Sequence, residues 1–290
     1  MKWKDFSKLI KFRLTFLVVF SASVTFLIGS KANAVNHGVI NWKHWGMLII
    51  GGFLVTAAAN CFNEIIEKDF DKLMRRTKDR PIPAGHMTTG QALILGLFMA
   101  LGGTYLLGSL NLTTGLLSVF SILLYAFAYT PLKRVSPVPA VVVGAVAGAM
   151  PPFIGYVAGY GTIDQIALIV FGIQFVWQFP HFWAIAWVLD DDYKLAGFRL
   201  LPTGKRDLAS AVITFISTLI LLPVSLLPTI YHYGGYWVGG VSLICSLVFL
   251  YLALMLLVRR DIKSAQRLMF GSFFYLPVVQ LMFLFDFLGK

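Results

Sequence analysis

Apolar positions in this chain fall in long, nearly unbroken blocks, and polar positions are confined to the short stretches between them. Neither the alternation of a half-buried strand nor the three-four spacing of a surface helix dominates. Blocks of about 17 to 25 apolar residues are what a helix needs to cross a hydrocarbon core. Nine are present, at approximately 14–30, 46–65, 90–109, 113–131, 139–158, 164–189, 209–231, 236–258 and 268–288. Very short turns, such as Asn111-Leu112 and Gly159-Tyr160-Gly161, join blocks three to four and five to six, which predicts tight antiparallel hairpins. The fold class expected is therefore all-α, a polytopic bundle of nine transmembrane helices forming one membrane-embedded domain over 1–290.

Composition agrees with this pattern. A chain that is 58% hydrophobic and 13% charged cannot cover a water-soluble surface. The net charge of +11 would point to nucleic acid in a soluble protein, so its distribution decides the matter. Lys and Arg number five at the N-terminus, six in 66–88, two in 132–138, four in 190–208 and four in 259–267, all on one side of the bilayer. The opposite side has Lys31, Lys43 and Lys290. By the positive-inside rule the N-terminus and the long polar loops are cytoplasmic, and the charge excess reports topology rather than a nucleic-acid partner. Cys61 and Cys245 lie far apart in apolar blocks and read as packing residues, not as a disulfide framework or zinc site. Ala32-Asn33-Ala34 after a basic start and an apolar run also has the form of a signal-peptide cleavage site, with a mature start at Val35. The reading adopted retains this first span.

The acids carry the chemistry. Of thirteen, Glu64, Glu67, Asp69, Asp71 and Asp79 lie at or after the second block, and Asp190, Asp191, Asp192 and Asp207 follow the sixth. If the second helix continues past its apolar block, Asn63, Glu67 and Asp71 fall at i, i+4 and i+8 with Asn60 close by, on one face. Oxygen ligands stacked over two turns suit a hard divalent cation, Mg²⁺ above all, which completes its shell with water and substrate phosphate. Arg75, Arg76, Lys78 and Arg80 follow as phosphate donors. Solvated loop acids balanced by neighbouring bases remain the plain alternative. Three successive Asp residues cannot share one helix face, so at most two of Asp190, Asp191 and Asp192 serve a site. Lys133 and Arg134, after Tyr129-Thr130-Pro131, read either as stop-transfer anchors or as binders of the same phosphate.

The Asn-x-x-x-acid-x-x-x-Asp stretch, the second Asp cluster and the nine blocks together resemble the UbiA superfamily of intramembrane prenyltransferases. Asp69-Phe70-Asp71 with Met74, Arg76-Thr77 and Arg80-Pro81, then Tyr129-Thr130 with Leu132-Lys133-Arg134, Gly148-Ala149-Met150-Pro151-Pro152 with Gly155, and Pro180-His181-Phe182-Trp183-Ala184 leading to Asp192-Tyr193, Ala196-Gly197 and Leu201-Pro202 resemble its heme-farnesylating branch. The likeness spans residues 11 to about 203. It implies a UbiA-type bundle with a central cavity, in a bacterial cytoplasmic membrane. The reaction implied is Mg²⁺-dependent transfer of farnesyl from farnesyl diphosphate to a vinyl group of heme B, water being added, to make heme O for heme-copper terminal oxidases. Downstream heme A synthase or oxidase assembly are the partners implied.

Carried over, the likeness assigns Asn63, Glu67 and Asp71 to the first metal and diphosphate motif, and Asp191 and Asp192 to the second, with Asp192 on the metal. Arg76, Arg80, Lys133 and Arg13 would neutralise phosphate; His181 and Asn60 would face the heme or substrate cavity. Glu67 stands where the branch has Asp, and Pro137-Val138-Pro139 where an Asn is expected. His181 is the one histidine inside a block and fits a cavity residue, an iron ligand or a helix-packing residue. Gly144, Gly148 and Ala149 read as close helix packing, and Pro151-Pro152 and Pro180 as kinks. Two other classes compete: a UbiA-type enzyme acting on an aromatic acid such as 4-hydroxybenzoate, and a secondary transporter. A transporter site lies more often at broken helices near the midplane, whereas these acids gather at one face.

Overall fold

A computed structural model describes residues 3–33, 35 and 37–289. Ala34 of the cleavage-like motif, and Lys2 and Lys290 of the charge count, lie outside the described residues. Among the described residues nine helices are long and apolar enough to cross a membrane. After a short α1 (Trp3–Leu9) come α2 (Phe12–Ala32), α3 (Trp42–Asp71), α4 (Thr89–Gly108), α5 (Leu112–Leu132), α6 (Pro137–Tyr160), α7 (Gln165–Leu195), α8 (Leu208–Ile230), α9 (Tyr236–Arg259) and α10 (Ile262–Leu288). The chain is thus an integral, multi-pass membrane protein.

Side-chain caps set most helix starts by satisfying orphan N–H groups. Asn41, Asn111, Asp164, Asp207 and Asp261 each accept from the backbone N–H three residues on, and Thr88 with Gln91 forms a full capping box. Asn111 therefore begins α5 rather than forming the turn. Likewise α6 runs to Tyr160 and ends on Gly161, whose φ of 104° suits a residue without Cβ. The greatest departures from the apolar blocks are at the polar end. There α3 reaches Asp71 and α7 reaches Leu195, because helical hydrogen bonding continues under the acidic stretches. Pro151, Pro152 and Pro180 lie inside helices that continue past them.

Each span packs on the next along the chain, and α10 returns to α2, closing the bundle; α2 also packs along α6. Lipid gives helices no hydrophobic reason to associate, so close backbone approach matters. A Cβ placed on Gly155 or Gly159 would overlap the carbonyl oxygen of Ala22 or Phe26, and one on Gly29 that of Tyr156. Removing residues 1–34 would therefore take away a helix on which α6 closes.

Candidate active site

The extended end of α3 buries Asn60, Asn63, Glu67 and Asp71, each no more than 3% exposed, on one face as the spacing predicts. Asn63 Nδ2 donates to Glu67 Oε2 and Thr130 Oγ1, both at 3.0 Å. Glu67 Oε1 is ion-paired with Lys133. Asn60 donates to Ile10 O (3.3 Å) and Thr15 Oγ1 (3.2 Å) and accepts from the Tyr125 hydroxyl (3.4 Å). A buried carboxylate must be paired or hydrogen-bonded; Glu67 takes Asn63 from its own helix and Lys133 from the end of α5, so the site ties the two helix ends together.

Lys133 and Thr130 reach Glu67 and Asn63 through an irregularity in α5. Residues Leu123–Tyr129 are π-helical, and the Thr130 N–H bonds back to Tyr125 O. Pro131 lacks an N–H and its ring would clash with the carbonyl four residues earlier in a regular helix; the widened turn relieves both problems. Tyr125 and Tyr129 lie 5.5 Å apart, centroid to centroid, and Lys133 Nζ sits 4.8 Å from the Tyr129 ring and 5.9 Å from that of Phe198. Lys133 is thus turned toward the acidic face of α3, while Arg134 donates to Ile66 O (2.8 Å) and packs on Phe70 at 4.2 Å.

The segment after α3 folds back over its end. Arg80 Nη1 meets Asp71 Oδ2 at 2.6 Å, and Thr77 Oγ1 donates to Asp71 O. Burial disfavours the Arg80 charge, but Asp71, Glu64 and Glu67 outweigh it and hold its pKa above the usual value. Glu64, fully buried, accepts from Ile82 N at 3.1 Å and so fixes the segment beside Arg80. Glu64 lies four residues after Asn60 on the same helix, but its partner is in the returning segment and not marked by helical spacing. Asp192 accepts from Arg75 N (2.7 Å) and Arg76 N (3.4 Å), clamping the segment to α7. The Arg76 guanidinium lies 5.8 Å from the Tyr193 ring. The triplet divides its labour: Asp190 is buried with Lys194 (2.6 Å) and Arg206 (3.7 Å), whereas Asp191 is 72% exposed and meets Arg206 at 3.1 Å. Asp191 is therefore the solvated member, and Asp190 the one that locks α7 to the following loop.

The N-terminus supplies a residue that the spacing did not single out. Lys11, in the left-handed backbone region (φ 48°) between α1 and α2, turns inward and donates to Asn63 Oδ1 at 2.7 Å and the Tyr125 hydroxyl at 3.4 Å. Burial, reinforced by Arg80 and Lys133 and opposed by Glu67 and Asp71, pushes its pKa down to about 7. Arg13 is exposed and makes no polar contact among the described residues, so of the two bases it is Lys11 that the structure brings to the acidic face. Asp5 pairs with His86 (3.1 Å) and Lys8 donates to Asp79 O (2.9 Å), strapping α1 over the same segment.

The oxygen donors fit a divalent cation that shares its shell with a ligand. Asp71 Oδ1 is buried with no hydrogen-bond partner among the described residues, and Glu67 and Asn63 present on the same face oxygens now held by Lys133 and Lys11. No group of three or more His, Cys, Asp or Glu side chains converges among the described residues, so the protein alone does not form a complete cage. His181 is apart from this cluster. It faces α10, hydrogen-bonded to Ser272 Oγ at 2.7 Å and stacked on Trp177 at 4.4 Å. Ser272 Oγ also lies 2.5 Å from Met269 O, so the hydroxyl ties His181 to the turn before it on α10. A groove of about 360 Å³ lies between α3, α4 and α5, lined by Phe62, Ile66, Leu97 and Phe127. Apart from Thr104 its lining is apolar, and it is on the other side of α3 from the carboxylates, so it is a lipid-facing groove and not the reaction chamber.

The UbiA prenyltransferase family matches residues 22–277. A protoheme IX farnesyltransferase of Cytophaga hutchinsonii is 42% identical, with 98% of each chain covered. One of Flavobacterium psychrophilum is 39% identical over 98% of this chain and 94% of its own. The human mitochondrial protoheme IX farnesyltransferase is 33% identical over 96% of this chain and 61% of its own length. Among solved structures, a digeranylgeranylglyceryl phosphate synthase superposes with a TM-score of 0.82 at 18% identity, 99% of each chain being covered. A UbiA homolog from Archaeoglobus fulgidus bound to GPP and Mg2+ gives 0.66 at 13% identity, over 96% of this chain and 99% of its own.

Proposed function

Because the chain belongs to the UbiA prenyltransferase family, we propose that it transfers farnesyl from farnesyl diphosphate to a vinyl group of heme B, giving heme O and diphosphate. The acceptor follows from the relatives that share nearly its whole length. The chemistry rests on one observation: Glu67 with Lys133 and Asp71 with Arg80 are buried acid-base pairs at the same end of the bundle. Such pairs can open in opposite directions, the bases toward a diphosphate and the acids toward its counter-ion.

In this reading Lys133, Arg80 and Lys11 bind the diphosphate from three sides, with Arg76 at the outer edge. Asn63, Glu67 and Asp71 would hold Mg²⁺, with Asp192 joining through lone pairs its backbone clamp leaves free. Bound there, the ion supplies neutralisation of the charge that grows on the departing diphosphate. Tyr125 and Tyr129 wall the space inward of Lys133 and shield the allylic cation from premature water, while Phe198 covers Lys133 from the loop after α7. Asp191 takes no ligand part in this scheme. Asn60 positions Tyr125 and Lys11, and His181 presents Nε2 to the acceptor rather than to the diphosphate.

The basic, acid-bearing end faces the cytoplasm of a bacterial inner membrane, where water-soluble diphosphate is released, and the modified heme passes to terminal-oxidase assembly. Purified protein with Mg²⁺, farnesyl diphosphate and heme B is expected to form a more hydrophobic heme. Turnover of 4-hydroxybenzoate with no conversion of heme would assign the chain to an aromatic-acid branch instead.

A further inference from the structure

Farnesylation of a vinyl group leaves a cation that some oxygen must close, yet the walls inward of Lys133 are aromatic and apolar. Buried amide side chains interrupt them. Gln178 on α7 is 4% exposed, and its Oε1 is buried with no hydrogen-bond partner among the described residues. It packs on Gly148 of α6 so closely that any side chain there would collide with its amide. Around it is a polar layer drawn from three helices. Gln174 Nε2 donates to Gly148 O (3.3 Å), and Gln280 Nε2 donates to Ser21 Oγ (2.9 Å) and Gln174 Oε1 (3.4 Å).

The depth is fixed by neighbours on α6. The Tyr129 ring, 4.8 Å from Lys133 Nζ, lies over Gly144, where a Cβ would meet it at 2.8 Å. Gly148 is one turn, about 5.4 Å, further along the same face. Gln178 therefore sits one turn inward of the ring that touches the diphosphate-binding lysine. An amide oxygen left unpaired in hydrocarbon costs several kcal/mol unless a water meets it, and a buried water needs two to four polar partners. Gln178 Oε1 provides one, and Gln174 one turn away provides another through the second Nε2 proton that its bond to Gly148 O leaves.

We propose that Gln178, backed by Gln174, Gln280 and Ser21, positions the water that becomes the hydroxyl of the product. The inference rests on the heme-farnesylating reading. The C1–O bond of farnesyl diphosphate breaks with its electron pair leaving on diphosphate. The vinyl π pair forms the new C–C bond, and the cation appears on the carbon next to the porphyrin ring. A lone pair of the held water closes it, and the proton released passes to the diphosphate. No electron is gained or lost overall.

The test is the identity of the product. Parent protein in isotopically labelled water is expected to place one labelled oxygen in the farnesylated heme. Gln178→Met is expected to keep consuming farnesyl diphosphate and heme while the product shifts to an alkene lighter by one water, as the cation loses a proton instead. Gln178→Asn should restore part of the hydroxylated product. Gln280→Met and Gln174→Met, which weaken the backing, should give a smaller shift and stand in if Gln178→Met does not fold. A role confined to helix packing alters yield and stability but not product ratio, so hydroxylated product alone from every folded variant overturns the proposal. If the parent protein converts no heme at all, the farnesylation reading fails first and this inference falls with it.

Discussion

Replacing Arg80 by Met tests whether the buried pairs hold the site together. Asp71 is fully buried and Arg80 only 15% exposed, so the pair is largely out of water. Removing one partner of a buried pair leaves an uncompensated charge and costs about 3–5 kcal/mol. The lower half of that range applies here, because Lys11 and Lys133 stay nearby as partial compensation. Asp71→Asn should cost less, since Arg80 retains some access to water and the carboxylates of Glu64 and Glu67. The double variant Arg80→Met/Asp71→Asn removes both charges and should recover stability, with a coupling of at least about 1 kcal/mol in a double-mutant cycle. Thermal unfolding in detergent, followed by tryptophan fluorescence, gives the stability ranking. Heme conversion should behave differently: all three variants should lose about 100-fold or more, since one lost contact to developing charge costs about 2.7 kcal/mol or more. Additive stabilities, or equal losses from Arg80→Met and Asp71→Asn, would refute the view that Asp71 is held as a charged ligand by Arg80.

Lys11→Met should reduce turnover at least about tenfold, a contact worth about 1.4 kcal/mol, while Arg13→Met leaves it within twofold; the reverse order in a heme-conversion assay would restore Arg13 to the site. Lys133→Met should raise the KM for farnesyl diphosphate as well as lower kcat, read from initial rates over a range of donor concentrations, and an unchanged KM would remove Lys133 from diphosphate binding. Asp192→Ala should speed amide hydrogen exchange at Arg75 and Arg76 in the protein without substrate, because their N–H groups lose their acceptor; protection equal to the parent would mean that the clamp does not order the segment.

The nine spans could be read from hydropathy because length and apolarity are what a bilayer demands, and their order in space follows from short connections. The acidic face of α3 was readable for the same kind of reason, since Asn63, Glu67 and Asp71 obey helical spacing. What escaped were contacts set by irregular backbone. Lys11 enters the site through a left-handed residue between two helices, and no period marks it, so Arg13 two positions on looked as good. Asp190 and Asp192 look alike in a run of three, and only the direction of each around α7 separates a lock from a clamp. Glu64 sat in plain view, but its role depends on Ile82, a partner eighteen positions away across a turn.

The π-helical turn in α5 sets the phase of everything after it. A helix advances about 100° per residue, so the one residue absorbed at Leu123–Tyr129 rotates Thr130 and Lys133 by about that angle relative to the start of the helix. Insertions and deletions here are therefore a different kind of change from substitutions. Exchanging lipid-exposed Leu123 for another apolar residue alters a surface, while deleting one residue from the turn leaves the hydropathy of the span almost unchanged and points Lys133 away from Glu67. In this membrane span the count of residues, more than their identity, decides whether the lysine faces the acid.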